Sequence, residues 1–170
     1  MGAFTNVPAH ELGSVAIKEA IARASISPDD VSEVILGQAL TAGQGQNPAR
    51  NASVKAGLSY KVPAHIISML CGSGLKYVAI LHEKRSNSFE SFIYFIIWEC
   101  YRAVASAYQS IKSGDASIVV CGGQESMTRA PHVSFIRPGV KMGDATFKDS
   151  MLIDGLTDAF HNIHMGITGK

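Results

Sequence analysis

Cysteine is scarce in this sequence, with three residues in a chain of 170. Cys71, Cys100 and Cys121 are irregularly spaced, and none forms a C-x-x-C pair. Their number and spacing therefore argue against a disulfide framework. We expect the chain to reside in a reducing, intracellular compartment.

The sequence also lacks a long apolar run and an excess of either charge. Its densest apolar stretch covers residues 92–98, against the roughly 20 residues needed to span a bilayer. Fifteen basic and 14 acidic residues are scattered along the chain and give a net charge of +1, so neither nucleic acid nor a membrane surface is indicated as a partner. The first residues show no signal peptide or organelle presequence, and we expect a cytosolic protein.

The remaining composition, 46% hydrophobic and 17% charged residues, is typical of a globular domain with a core. Three short apolar runs, in "EVILGQAL", "AHIISML" and "SIVVCGG", are predicted as buried strands. They alternate with helical patterns at Ala9–Ser25, in "NPARNASVKAGL" and in "AVASAYQSIKSG". This alternation predicts an α/β sandwich with a largely parallel sheet.

Three local signals refine that prediction. Asn47 is expected to cap the second helix, with Pro48 at its first position and Gly57 as a left-handed stop. "LKYVAILHEK" is compatible with a further helix. Residues 128–160 are rich in Gly, Pro, Asp, His and Met with weak periodicity, and we expect a loop-rich excursion of the kind that is often functional.

Cys71 is the first candidate for chemistry, because it ends a predicted strand and precedes a predicted helix. Ligands bind at the carboxyl edge of parallel sheets, and a helix dipole favours a thiolate at the helix amino terminus. Gly72 and Gly74 allow a sharp turn whose backbone amides could face a substrate oxygen. A buried, inert cysteine is the competing interpretation. The C-G-S-G spacing alone leaves both open.

Longer motifs carry a resemblance to a known family. "MLCGSGLK", "SGDASIVVCGGQESMTRAPH" and "DGLTDAFHNIHMGIT" occur in this order and resemble the amino-terminal domain of the thiolases, in particular the cytosolic acetyl-CoA acetyltransferase group. "ISPDDVSEVILGQALTAGQGQNPARNASVKAGL" fits the same pattern, so the resemblance runs from about Gly2 to Thr168. It implies a thiolase-like layered α/β sandwich across residues 1–170.

The resemblance also implies a reaction. Cys71 would take an acyl group from one acyl-CoA as a thioester, which the carbanion of a second acyl-CoA attacks to give a 3-ketoacyl-CoA, acetoacetyl-CoA in the case of acetyl-CoA. No cofactor is implied beyond the CoA thioester substrate, and no metal. His164 and Met165 match a pair beside the pantetheine arm of CoA. Gly72, Ser73 and Gly74 are expected to orient the thioester, in a homo-oligomer that is a dimer or tetramer.

The chain departs from the thiolase pattern in three places. Residues 77–102 have no thiolase counterpart and are predicted as an insertion. A first strand resembling "VVIVSAARTPIG", central in the thiolase sheet, is not found, and the histidine and second cysteine of the carboxyl-terminal half are absent. We therefore expect an incomplete domain that is inactive in turnover by itself. The alternative is a non-catalytic, truncated or mis-spliced fragment that pairs with full-length thiolase or does not fold.

The sequence leaves the roles of three other motifs undecided. His161 and His164 form H-x-x-H, but two ligands without a third do not indicate a zinc site. The Gly122–Gly123 pair is expected either to end a strand or to form the floor of the site. "PHVSFIRPGVKMGD" resembles a thiolase loop of tetramer assembly and the CoA entrance, where Arg137 and Lys141 either meet phosphate or remain solvated.

Overall fold

The computed structural model describes residues 2–73, 79–82 and 102–168. In these ranges three helices and six strands follow one another: α1 (Ala9–Ala24), β1 (Glu33–Gly37), α2 (Pro48–Lys55), β2 (Ala64–Ile67), β3 (Ala79–His82), α3 (Arg102–Lys112), β4 (Ile118–Gly123), β5 (His132–Val133) and β6 (Lys148–Asp149). Apart from β3, the helices and strands through β4 follow the order that the hydrophobic pattern predicts.

The main sheet has the strand order β2-β1-β4-β3. β1 runs parallel to β2 and to β4, which confirms the largely parallel sheet. Because β1 is hydrogen-bonded to β2 on one side and to β4 on the other, no gap lies between these three strands. A further strand can join only at an edge of this sheet.

β3 corrects the helix predicted for "LKYVAILHEK". Residues Ala79–His82 form a strand that pairs antiparallel with β4, with Ala79 opposite Cys121 and His82 opposite Ile118. A short apolar run does not separate strand from helix by periodicity, and here pairing with β4 selects the strand. The rest of the predicted helix lies outside the described residues.

The sheet is buried on both faces by helices. Val34 and Leu36 of β1 and Val120 of β4 pack with α1 and α2, whereas Ile35 and Val119 point the other way and pack against α3. Adjacent residues of one strand therefore belong to different cores, as the continuous apolar runs predict. The result is a layered α/β/α arrangement.

The signals that bound α2 are confirmed. The Asn47 side chain accepts a hydrogen bond from the Arg50 N–H, and Pro48 is the first helical residue. Gly57 has φ +100°, a conformation that glycine adopts without steric cost. These contacts place the helix against β2, since the Asn47 amide also donates to the Ala64 carbonyl.

Residues beyond β4 contain little regular structure. β5 and β6 form a two-stranded antiparallel ladder, and a single π-helical turn covers Leu152–Leu156. Large apolar side chains here are exposed, among them Phe135 at 86% and Met142 at 95%. In the described part of the chain, no helix combines the length and apolar character needed to cross a bilayer.

Candidate active site

Cys71 lies on a tight turn that follows β2. β2 ends at Ile67, four residues earlier than the predicted strand, and the Cys71 side chain is exposed. The Gly72 N–H donates to the Met69 carbonyl, and the Ser73 N–H donates to the Leu70 carbonyl, each at 3.0 Å. These two amides are therefore used inside the turn, while Gly74, which the expectation of substrate-facing amides also involves, lies outside the described residues.

The buried hydroxyl of Ser73 holds this turn closed. Its Oγ accepts from the Met69 N–H at 2.7 Å and donates to the Leu70 carbonyl at 2.6 Å, and the residue is 3% exposed. Leu70 has φ +49°, which is uncommon for a residue other than glycine, asparagine or aspartate. Such conformations persist where the surroundings enforce them and cluster at functional sites.

The amino terminus of α3 lies against the same turn. The Arg102 N–H donates to the Gly72 carbonyl at 3.4 Å, although 29 residues separate the two positions in the sequence. The helix beside the Cys71 turn is thus α3, and not the predicted "LKYVAILHEK" helix. A helix amino terminus near the candidate nucleophile is present, but a different segment supplies it.

Cys71 borders a cavity of about 340 Å³ at the carboxyl ends of β1, β2 and β4. The end of β1 and the residues after it supply Gly37, Gln38, Ala39 and Leu40. The turn that holds Cys71 supplies Leu70, Cys71 and Ser73, and the end of β4 with the residues after it supplies Gly123, Gln124, Glu125 and Met127. Met151, Gly155 and Leu156, at and near the π-helical turn, complete the lining. The carboxyl edge of the sheet is therefore the site, as predicted for parallel strands.

Polar side chains connect the ends of β1 and β4. Gln124 Nε2 donates to Gln38 Oε1 at 2.9 Å, and both residues are buried. Glu125 Oε2 accepts from the N–H groups of Ala39 at 2.7 Å and Leu40 at 3.2 Å. Our sequence reasoning missed these three side chains. The signal was available, since Gln38, Gln124 and Glu125 come within two residues of the end of a strand at the ligand edge.

Cys121, the other cysteine in the part of the chain that the structure describes, does not compete with Cys71 as a nucleophile. Cys121 is fully buried in β4, as predicted, and burial raises the pKa of its thiol to about 12. It therefore stays protonated at neutral pH and is a poor nucleophile. Cys100 lies outside the described residues, as does Gly74, for which the predicted role is not described.

His164 and Met165 lie beside the cavity without lining it. The Met165 N–H donates to the carbonyl of Leu156, a lining residue, at 2.8 Å, and His164 pairs with Thr157. The His161 ring nitrogen Nδ1 is 2.8 Å from Asp158 Oδ2. Among the described residues, no three His, Cys, Asp or Glu side chains converge as metal ligands.

Ser73→Ala is expected to lower the free energy of unfolding by about 1 kcal/mol, because the substitution removes the hydrogen bonds that the buried Ser73 hydroxyl makes with the Met69 N–H and the Leu70 carbonyl. Denaturant unfolding measures the change. Ser117→Ala, at an exposed position, is the matched control and should stay within about 0.5 kcal/mol of the unsubstituted chain. Equal stability of the two variants would show that the Ser73 hydroxyl does not hold the turn.

Comparison with known proteins decides the family. A sequence model described as "Thiolase, N-terminal domain" matches residues 1–86 and 100–170. The chain belongs to the thiolase family. The cytosolic acetyl-CoA acetyltransferases of Rattus norvegicus and Mus musculus are 50% identical over 169 residues, covering 99% of this chain and 36% of theirs. The acetyl-CoA acetyltransferase of Paracoccus denitrificans is 48% identical over 170 residues, covering 100% of this chain and 37% of its own length.

This membership confirms the resemblance to thiolases and the thiolase-like α/β fold. The chain spans little more than a third of the length of these curated relatives. The unmatched residues 87–99 lie inside the predicted insertion, 77–102. The exact bounds of the insertion stay a prediction.

Deleting residues 87–99 is expected to preserve the fold and to raise the free energy of unfolding by about 1 kcal/mol. The deletion shortens the connection between β3 and α3, and loop closure costs about 0.6 kcal/mol for each doubling of length. It also removes the whole apolar run at 92–98, a potential aggregation segment. Denaturant unfolding and light scattering measure both effects. A large loss of stability would show that 87–99 is part of the core.

Proposed function

We propose that the chain performs the acyl-accepting half of thiolase chemistry, with Cys71 as the nucleophile. The Cys71 sulfur bonds to the acyl carbon of acetyl-CoA, the bond between that carbon and the CoA sulfur breaks, and CoA leaves with the proton of the Cys71 thiol. One thioester is exchanged for another without change of oxidation state. The observation that carries this proposal is the exposed Cys71 on a closed turn at the mouth of the strand-end cavity.

The walls of the cavity support a short acyl group as its occupant. Leu40, Leu70, Met127, Met151 and Leu156 supply apolar surface, which suits an alkyl group. Among the described lining residues, Glu125 is the other ionisable side chain besides Cys71, and its Oε2 is engaged by two backbone amides. The base that activates Cys71 is therefore proposed to come from the rest of the enzyme.

The complete reaction that we propose condenses two acetyl-CoA molecules reversibly to acetoacetyl-CoA and CoA, in the cytosol, without a further cofactor. His164 and Met165 are proposed to contact the pantetheine arm of CoA. Their support is the Met165 hydrogen bond to Leu156, which places the pair next to a cavity wall. The carbanion step needs a second acid/base group, which we assign to the remaining part of a full-length thiolase.

We propose that the surface of residues 132–168 is covered by protein in the working enzyme, which we take to be a homo-oligomer. Phe135, Met142 and Phe160 are each more than 85% exposed, and burial of large apolar side chains against a partner is favourable. The same surface would serve a fragment that pairs with full-length thiolase subunits. Size exclusion of the chain with a full-length relative tests this second role, and separate elution would contradict it.

Incubation with acetyl-CoA followed by intact mass and peptide mapping tests the proposed function. We expect one acetyl group on the peptide that contains Cys71 and none on the peptide that contains Cys121. A sample with the circular dichroism of a folded α/β protein that gains no acetyl group would contradict the proposal.

A further inference from the structure

Glu125 is the best candidate for an additional determinant of this site. Its carboxylate follows β4, yet it binds the backbone after β1 through the N–H groups of Ala39 and Leu40. Charged acceptors form hydrogen bonds roughly twice as strong as neutral ones, so this contact orders the segment that it holds. Within residues 2–73, 79–82 and 102–168, neither of these two N–H groups has a backbone acceptor in place of the carboxylate.

Leu40 is fixed at three points. Glu125 binds its N–H, and Gln38 Nε2 donates to its carbonyl at 2.9 Å. Its side chain is 6% exposed and reaches the π-helical turn, where a Cβ on Gly155 would lie 3.4 Å from Leu40 Cδ2. Leu40 and Gly155 both line the cavity that Cys71 borders. A movement of the Leu40 backbone would therefore move the apolar wall.

We propose that Glu125 is a positioning residue that holds Leu40 in the cavity wall and thereby sets which acyl chain lengths Cys71 accepts. This proposal rests on the proposed function of Cys71. Glu125 acts through the Ala39 and Leu40 amides and takes no part in bond making. An apolar wall discriminates chain length by contact, since one methylene changes binding by about 10- to 200-fold in a well-defined pocket.

Hydrogen exchange in Glu125→Ala, Glu125→Gln and the exposed control Glu19→Ala tests the positioning step. In Glu125→Ala we expect the Ala39 and Leu40 amides to exchange about 10- to 100-fold faster, while β1 and β4 keep their protection. Glu125→Gln retains an acceptor oxygen, so it should keep part of the protection of the Ala39 and Leu40 amides. Unchanged protection in Glu125→Ala, or equal loss across the sheet, would overturn the positioning role.

Acylation of Cys71 by acetyl-CoA and by butanoyl-CoA, followed by intact mass, tests the specificity step. We expect Glu125→Ala to change the ratio of the two initial rates by about threefold or more, whereas Glu19→Ala leaves it unchanged. A ratio unchanged in Glu125→Ala would overturn the acyl-length claim, even if both rates fall. If no protein forms an adduct, the proposed function fails and so does the acyl-length claim, while the exchange data still decide whether Glu125 holds Leu40.

Discussion

Cys71→Ser is expected to abolish the acetyl adduct that the unsubstituted chain forms with acetyl-CoA. A thiol is partly ionised near neutral pH and intrinsically nucleophilic, whereas a serine hydroxyl needs a strong adjacent base. Serine is nearly isosteric with cysteine and keeps the exposed position on the turn, so the fold should be retained. Intact mass after incubation with acetyl-CoA measures the difference.

Cys121→Ala is the control for this experiment. Because burial raises the pKa of Cys121 to about 12, its thiol should not accept the acetyl group, and removing it should leave the adduct intact. Cys121 packs with Ile35 and α3, so we expect the control to lose stability through a small cavity while the fold is kept. An adduct that disappears in Cys121→Ala and persists in Cys71→Ser would reverse the assignment.

Gly13→Ala is expected to lower the free energy of unfolding by about 2 kcal/mol, although alanine is the better helix former by about 0.5–1 kcal/mol. A Cβ at Gly13 in α1 would overlap Gln124 Oε1 and lie 3.1 Å from Gln124 Cδ. The Gln124 amide cannot move away freely, because it is 6% exposed and bonded to Gln38. Overpacking and the lost buried hydrogen bond together outweigh the gain in helix propensity.

A double-mutant cycle separates the overlap from the helix propensity. In a Gln124→Ala background the overlapping amide is absent, so Gly13→Ala should then raise the free energy of unfolding by about 0.5–1 kcal/mol. Denaturant unfolding of the four proteins measures the change in the free energy of unfolding that Gly13→Ala causes in each background. If Gly13→Ala stabilises the chain in both backgrounds, the close approach of α1 to Gln124 is not a constraint.

The three parallel strands of the sheet could be predicted from the hydrophobic pattern of the sequence. The runs around Ile35, His65 and Val120 are apolar or β-branched and are bounded by turn residues, and they form the three parallel strands. β3 was not predictable in the same way, because the four residues Ala79–His82 have no distinctive period and gain their conformation from the edge of β4.

The site shows where the sequence stops being informative. The motif around Cys71 predicts it as the nucleophile, and the apolar strand around Cys121 predicts its burial, which the structure confirms. The left-handed conformation of Leu70 and the hydrogen bond from the Met69 N–H to Ser73 depend on contacts within the turn. The residue types alone do not predict these contacts. The contact between Gly72 and Arg102 joins positions too far apart in the sequence for local patterns to predict.

Return of the acetyl group to CoA tests the assignment of Cys71 most directly. The chain is acetylated with labelled acetyl-CoA, freed of small molecules and then supplied with CoA. If Cys71 holds a reactive thioester, acetyl-CoA reappears, the label leaves the Cys71 peptide, and the thiol is restored. Label that stays on the protein after CoA is added, or that lies on a residue other than Cys71, would contradict the account.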